Sequence, residues 1–272
     1  MQSERIDIIY VCSNADIAAQ NVARLMLPGQ PSFARATRLT LLPLEVHRLR
    51  EHTINFISFT PGTTFNQGNR PGRKDERRLI YQMLANLPGL SRRGLKNAMQ
   101  GQARESWFAD ADSKIEYDSA IATTFCSAVI ADNSLHALLI ETAQSYSDRR
   151  RKISSETRQN CLRLIGELRR SLAKSCLSAL NPNLIILDEF QRFNDLLAPA
   201  DDNPAAELAQ AMFNSSVGKV LLLSATPYKM YSSALDEEDH YEDFLKTVGF
   251  LMEDDRKMEH LKADLGAFRS AL

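Results

Sequence analysis

The chain has 272 residues, of which 44% are hydrophobic, so it can bury a core in one large domain or two small ones. Its 33 basic and 34 acidic side chains leave a formal net charge of −1, which excludes a global polycation and confines any nucleic-acid binding to local patches. The four cysteines lie far apart without a C-x-x-C pair, so neither a zinc site nor a disulfide framework is predicted.

The N-terminal segment "MQSERIDIIYVCSN" carries charges where a signal peptide needs its apolar core. No apolar run approaches the length of a membrane span. We therefore expect a cytoplasmic protein without membrane contacts, because unpaired cysteines suit a reducing compartment.

Residues 1–65 are predicted to alternate between strands and helices. The run "IDIIYVCSN" is β-branched and ends in a polar turn, and "DIAAQNVARLML" after it has apolar residues at helical spacing. "ATRLTLLPLE" and "TINFISFTPGTTF" are predicted to be two further buried strands. Continuous apolar strands are typical of a parallel sheet covered by helices on both faces, so this part is predicted to be α/β.

Residues 66–180 are predicted to form a helical, Arg-rich insert. In "TRQNCLRLIGELRRSLAKSCLSAL" the apolar residues fall on one helical face, and the basic residues are predicted to lie mostly elsewhere, namely Arg158, Arg163, Arg169 and Lys174. Guanidinium groups suit phosphate contacts, but a basic run is more often a solvated helix face, and both interpretations stay open. Trp107 could stack on a base, although core packing is its commoner role.

Residues 181–272 return to buried strands in "LIILDEF" and "KVLLLSATPYKMY". In an open parallel sheet, ligand-binding and catalytic residues lie at the carboxyl ends of the strands. Asp188-Glu189 occupy such a position, directly after the four apolar residues of the first run. Hydrolysis of a magnesium nucleotide needs one carboxylate to hold the metal and a second to orient or deprotonate water. This pair supplies both, although two acids also simply mark where a strand meets solvent.

Four segments, in order along the chain, resemble motifs of superfamily 2 helicases and translocases. "LIILDEFQ" resembles motif II, and "VLLLSATP", about 35 residues later, resembles motif III. "IIYVCSNADIAAQN" resembles motif Ia, and "FISFTPGTTF" resembles motif Ib. The resemblance, to Swi/Snf-like and DEAD/DEAH-type ATPases, implies a first RecA-like lobe of the P-loop NTPase lineage. Residues 1–65 and 181–272 would form its parallel sheet, with residues 66–180 as the insert.

The resemblance implies catalytic and coupling roles for residues of motifs II and III. Asp188 would position Mg²⁺ through water, and Glu189 would be the general base for hydrolysis of ATP. Gln191 would read the nucleotide state. The motif III residues Ser224, Ala225 and Thr226 would couple ATP hydrolysis to the bound nucleic acid. Alternatively, Gln191 solvates a strand end, and the residues of motif III cap a turn.

The resemblance also implies a track for one strand of DNA or RNA. Asn14 of motif Ia would contact the phosphate backbone through groups that carry no sequence information. The residues of motif Ib with the same role would be Thr60, Pro61, Gly62 and Thr63. An ordinary strand-to-helix turn uses the same residue types and is the alternative.

A helicase ATPase needs a P-loop, G-x-x-x-x-G-K-[ST], to hold the phosphates, and the 272 residues contain none. The Gly218-Lys219 pair leads into a predicted strand rather than a helix. Motifs of the second RecA-like lobe are also absent from the sequence. We therefore expect a fragment or split half that does not hydrolyse ATP alone. It would bind ATP and Mg²⁺ only with a P-loop supplied upstream or by a partner, and would need the second lobe in cis or in trans.

In RecA-like lobes the P-loop strand lies beside the motif III strand. Without it, the run from Val220 to Leu223 is predicted to form an unpaired sheet edge.

Two other functions fit the same residues. A non-catalytic module could use a helicase-derived sheet to bind nucleic acid or protein without ATP. A metal-dependent hydrolase could use Asp188, Glu189 and Asp195, although no further carboxylate or histidine cluster lies nearby in the sequence.

Overall fold

The computed structural model of the chain describes residues 5–26, 32–65, 68, 70–100, 106–147, 153–180, 182–190, 204–214, 218–224, 245, 248–249 and 255–271. Five strands form one all-parallel sheet in the order β2-β3-β1-β4-β5. The α/β prediction is therefore confirmed. The strands are β1 Ile6–Val11, β2 Ser32–Ala36, β3 Ile54–Phe59, β4 Leu184–Asp188 and β5 Lys219–Leu223.

Helices connect and cover these strands, and most of them lie between β3 and β4. Several begin at a residue whose side chain accepts a hydrogen bond from the first turn, as Asn14, Asp118, Asp132 and Ser154 do. The helices are α1 Ala15–Leu25, α2 Val46–Glu51, α3 Pro61–Thr64, α4 Lys74–Leu84, α5 Arg92–Gln100, α6 Ser106–Asp112, α7 Ser119–Ala131, α8 Asn133–Ser145, α9 Ser155–Ala179, α10 Pro204–Asn214 and α11 Asp255–Ala271.

The predicted strand "ATRLTLLPLE" is wrong. The strand β2 precedes it, and Leu39–Leu44 forms a 3₁₀ helix instead. Its buried residues Leu39 and Leu42 are three apart, which is the repeat of a 3₁₀ helix. Pro43 inside the segment cannot donate a hydrogen bond to a neighbouring strand, so a central strand is disfavoured there.

The two faces of the sheet contribute to different hydrophobic clusters, because successive side chains of a strand point to opposite faces. Val11, Phe59 and Leu187 belong to a large cluster that also contains residues of α4 to α9. Tyr10 and Ile186 belong to a smaller cluster that includes Ala18 and Val22 of α1. The helical residues between β3 and β4 therefore share one core with the sheet.

Trp107 is fully buried in the large cluster, and its Nε1 donates a hydrogen bond to the carbonyl oxygen of Lys96 at 2.9 Å. Of the two roles open to Trp107, the structure supports core packing, because a base cannot reach a fully buried indole.

The edge strand β5 pairs with β4 and with no other described strand. Its residues alternate between half-buried and exposed, and the exposed ones include Leu221 and Leu223. The unpaired edge at Val220–Leu223 stays a prediction, because residues 191–203 and 225–244 lie outside the described part of the chain.

Among the described helices, none is by itself long and apolar enough to cross a membrane. The pair α7 and α8 passes the length and composition test only as a unit bent by 94°. Ile121 and Phe125 of α7 and Leu139 of α8 are buried in the core.

Candidate functional site

The carboxyl ends of all five parallel strands lie at one edge of the sheet. The chain runs from β1 through α1 to strands on one side of β1, and later to β4 and β5 on the other side. The order of the strands therefore reverses between β1 and β4, and such a switch point is where open α/β sheets bind ligands. Asp188 ends β4 at this point, with Val11 of β1 opposite Leu187.

Asp188 is held by two side chains from the β1–α1 unit. The Tyr10 hydroxyl donates to Asp188 Oδ2 at 2.5 Å, and Asn21 Nδ2 donates to the same oxygen at 3.1 Å. Burial, followed by the hydrogen bond to Asp188, raises the pKa of Tyr10 well above its ordinary value. Tyr10 therefore remains a protonated donor at neutral pH. These bonds leave Asp188 Oδ1 without a hydrogen bond from the described residues.

Replacing Tyr10 by phenylalanine should lower the free energy of unfolding by about 1.5–3 kcal/mol, because the variant loses a buried hydrogen bond to a charged group. Urea unfolding followed by circular dichroism measures the difference. The matched control is Tyr117→Phe, since the half-buried Tyr117 hydroxyl makes no hydrogen bond with the described residues. Equal losses in the two variants would contradict a special role for the Tyr10–Asp188 bond.

Glu189 follows Asp188 in a strained backbone conformation. Its φ is 55°, and it is the one non-glycine residue with positive φ in the described part of the chain. A glutamate in this region costs on the order of 1–3 kcal/mol, and such strain often occurs at functional sites. Ser13 Oγ donates to Glu189 Oε2 at 3.0 Å. Hydrogen bonds to both carboxylates thus join the β1–α1 unit to the end of β4 and to the residue after it.

Asn14 uses its side-chain oxygen to cap α1. Its Oδ1 accepts hydrogen bonds from the backbone N–H groups of Asp16 at 2.8 Å and Ile17 at 3.2 Å. Asn14 Oδ1 therefore caps α1, as in an ordinary strand-to-helix turn. The exposed Nδ2 group makes no hydrogen bond with the described residues. That amide can still donate to a ligand.

The segment from Thr60 to Thr63 forms the turn into α3 at the carboxyl end of β3. Thr60 Oγ1 and Thr63 Oγ1 are 2.6 Å apart and share a hydrogen bond. Pro61 occupies the first helical position, where its missing N–H costs nothing. Gly62 is exposed, and a Cβ atom added to it would meet no atom within 4 Å. The turn therefore offers an open surface beside two hydroxyl groups.

Ser224 follows the edge strand β5 and is half-buried. Because Asp188 is opposite Leu223 in the register of β4 and β5, Ser224 is one residue beyond the level of Asp188. Gln191, Ala225 and Thr226 lie outside the described residues. The structure thus brings Asp188, Glu189 and Ser224 to the same sheet edge as the loops after β1 and β3.

A cleft of about 450 Å³ opens beside the Thr60–Thr63 turn. Thr60 and Thr63 line it together with Arg35, Arg38 and Arg73, three basic residues that the motifs do not contain. We call this space the arginine cleft. Sequence inspection misses Arg35 and Arg38 and gives Arg73 only as one basic residue of the insert, because only the fold brings β2, the loop after it and the residue before α4 together.

Asp188 suits a water-mediated Mg²⁺, since one of its oxygens is not used by the described residues and Mg²⁺ usually keeps several waters. No group of three His, Cys, Asp or Glu side chains in the described part of the chain could hold a metal ion. The sequence contains no P-loop, and Gly218-Lys219 leads into β5 rather than into a helix.

A second, larger cavity of about 610 Å³ lies among the helices. Its walls include the ion pairs Arg50–Asp118 and Arg92–Asp112 and the ring of Tyr117. These charges balance each other, so the cavity indicates no particular class of ligand.

Comparisons with protein-family models, with curated proteins and with solved structures find no match to this chain.

Proposed function

We propose that the chain forms the core of the first RecA-like lobe of a superfamily 2 helicase-like, nucleic-acid-dependent ATPase of the cytoplasm. The observation that carries the proposal is the common position of the motif-like segments. The strand in each of the four segments ends at the carboxyl edge of one parallel sheet, with Asp188-Glu189 at its switch point. The four cysteines are free thiols, which suits a reducing compartment.

On the nucleotide side, Asp188 would hold Mg²⁺ through water, and Glu189 would orient or deprotonate the attacking water. Gln191 would sense the nucleotide. The position of β5 at the edge of the described strands supports the proposal, because a P-loop strand beside the motif III strand would pair there. That strand, and the second RecA-like lobe, would come from further polypeptide in cis or from a partner chain.

On the nucleic-acid side, the turn from Thr60 to Thr63 and the amide of Asn14 would contact the phosphate backbone of one strand of DNA or RNA. The open space around Gly62 supports this, because a backbone phosphate can approach the turn closely. Ser224, Ala225 and Thr226 would couple this track to the nucleotide side.

A non-catalytic module that binds nucleic acid or protein is the second candidate function. It is favoured by the internal hydrogen bonds of both carboxylates, from Tyr10 and Asn21 to Asp188 and from Ser13 to Glu189. Such bonds would stabilise the switch point whether or not a nucleotide binds. A metal-dependent hydrolase without nucleotide has no observation in its favour, and Asp195, its third carboxylate, lies outside the described residues.

Calorimetry with Mg·ATP tests the ATPase proposal. We expect no binding to this chain alone and binding to an N-terminally extended version that carries a P-loop. In the extended version, Glu189→Gln should keep nucleotide binding and abolish nucleic-acid-stimulated hydrolysis. A P-loop-bearing version that binds no nucleotide, or a Glu189→Gln variant that hydrolyses ATP at the original rate, would favour the non-catalytic module.

A further inference from the structure

The arginine cleft contains more positive than negative charge. Arg35 and Arg48 both pair with Glu45, Arg38 and Arg169 both pair with Glu76, and Arg73 pairs with Asp75. Of these charged residues, three arginines (Arg35, Arg38 and Arg73) and two carboxylates (Glu45 and Asp75) line the cleft, which leaves one positive charge in excess.

The fully buried Glu76 determines where the excess positive charge lies. Its Oε1 accepts two hydrogen bonds from Arg169, at 3.2 Å and 3.1 Å, and one from the Thr40 hydroxyl at 2.6 Å. Arg169 is only 3% exposed, so it acts as the internal counter-ion of Glu76 and cannot contact a ligand.

Arg38 is the second cation on Glu76, and it faces the cleft. Its Nη1 lies 3.2 Å from Glu76 Oε2, and its side chain is 26% exposed. Because Arg169 already neutralises Glu76, the charge of Arg38 is available to an anion. The bond to Glu76 also holds the Arg38 side chain in place, so little side-chain entropy is lost when a ligand binds.

We infer that the arginine cleft binds phosphate groups of a nucleic-acid backbone, with Arg38 as its fixed contact and Arg35 and Arg73 as more mobile contacts. This inference rests on the proposed nucleic-acid function and extends it to residues outside the four motifs. Guanidinium groups donate paired hydrogen bonds to phosphate oxygens, and the hydroxyls of Thr60 and Thr63 line the same cleft.

The test is fluorescence anisotropy with a labelled single-stranded oligonucleotide, made both as DNA and as RNA, over a range of salt concentrations. Each backbone contact to a single strand contributes about 0.7 to the slope of log K against log salt. Arg38→Gln and Arg73→Gln should each lower the slope by about 0.7. Arg73 is the safer variant for folding, because its side chain is 58% exposed and its carboxylate partner is Asp75, also exposed.

The matched control is Arg48→Gln, which removes the same charge from an arginine that shares Glu45 with Arg35 but does not line the cleft. Its slope should equal that of the unsubstituted chain. The inference is overturned if Arg38→Gln and Arg73→Gln leave the slope unchanged, or if Arg48→Gln lowers it equally.

Competition with pyrophosphate separates a backbone site from a site for free phosphates. We expect millimolar pyrophosphate to leave the oligonucleotide bound, and full displacement of the oligonucleotide would overturn the assignment of the cleft to a nucleic-acid backbone.

The cleft inference and the ATPase proposal can fail separately. If the extended version with a P-loop binds the oligonucleotide through these arginines but does not bind Mg·ATP, the inference about the cleft stands and the ATPase proposal is overturned. An absence of oligonucleotide binding would overturn the cleft itself.

Discussion

Replacing Glu76 by glutamine should lower the free energy of unfolding by about 3–5 kcal/mol, the usual cost of breaking a buried ion pair from one side. Glutamine keeps the size of the side chain but removes its charge. The guanidinium group of Arg169, only 3% exposed, would then lie in the core without its counter-ion. Chemical unfolding followed by circular dichroism measures the loss.

Glu45→Gln is the matched control for this prediction. Glu45 also pairs with two arginines, but Arg35 and Arg48 are each about half exposed. Glu45 itself is 12% exposed, but both of its partners reach solvent, so the loss should be closer to the roughly 0–1 kcal/mol of exposed ion pairs than to the loss at Glu76. Equal losses at Glu45 and Glu76 would contradict a structural role for the buried network.

The pH dependence of stability gives a second readout of Glu76. Burial alone would raise its pKa, but Arg169 and hydrogen bonds from the Arg73 backbone and Thr40 outweigh burial and hold the pKa below its ordinary value. A lowered pKa stabilises the folded state above the unfolded-state pKa, and this stabilisation is lost as the pH falls through the folded-state pKa. The original chain should therefore lose more stability than Glu76→Gln as the pH falls below about 4.5, the ordinary pKa of a glutamate.

Replacing Gly94 by alanine should destabilise the fold by at least about 3 kcal/mol, the upper part of the range for overpacked cores. Gly94 lies where α5 crosses α8. A Cβ atom there would be 1.7 Å from the carbonyl oxygen of Ala143 and 2.6 Å from Ser147 Oγ. Because the first of these atoms is backbone, the two helices would have to move apart.

Gly266→Ala in α11 is the control for the Gly94 variant. A Cβ atom at Gly266 would meet no atom within 4 Å, so helix propensity alone predicts a gain of about 1 kcal/mol. The two substitutions should therefore change the thermal unfolding midpoint in opposite directions. A stabilised Gly94→Ala variant would contradict the close helix crossing.

The strands at the site were predictable because each is a short apolar run that ends in a polar turn. Such runs preceded Ser13, Thr60, Asp188 and Ser224, and parallel strands align their carboxyl ends. The segment "LTLLPL" was wrongly predicted, because six consecutive residues can fit a buried strand or a short helix until Pro43 is weighed.

Side-chain partners were not predictable, because they join residues that are distant in sequence. Arg169 was expected outside the apolar helix face, yet it is buried against Glu76, 93 residues away. Tyr10 is 178 residues from Asp188, and only the pairing of β1 with β4 reveals their contact. Local periodicity describes one element at a time, so it cannot show which polar groups meet between elements.

The measurement that tests the central claim most directly is single-strand binding by the chain with Gly62→Asp. The substituted side chain has open space at the Thr60–Thr63 turn, so the fold should persist while the new carboxylate repels backbone phosphates. Gly266→Asp makes the same charge change at another open position. We predict that Gly62→Asp weakens binding at least about tenfold, or about 1.4 kcal/mol, and that Gly266→Asp does not. Equal affinities for the two variants would contradict a nucleic-acid track at this edge of the sheet.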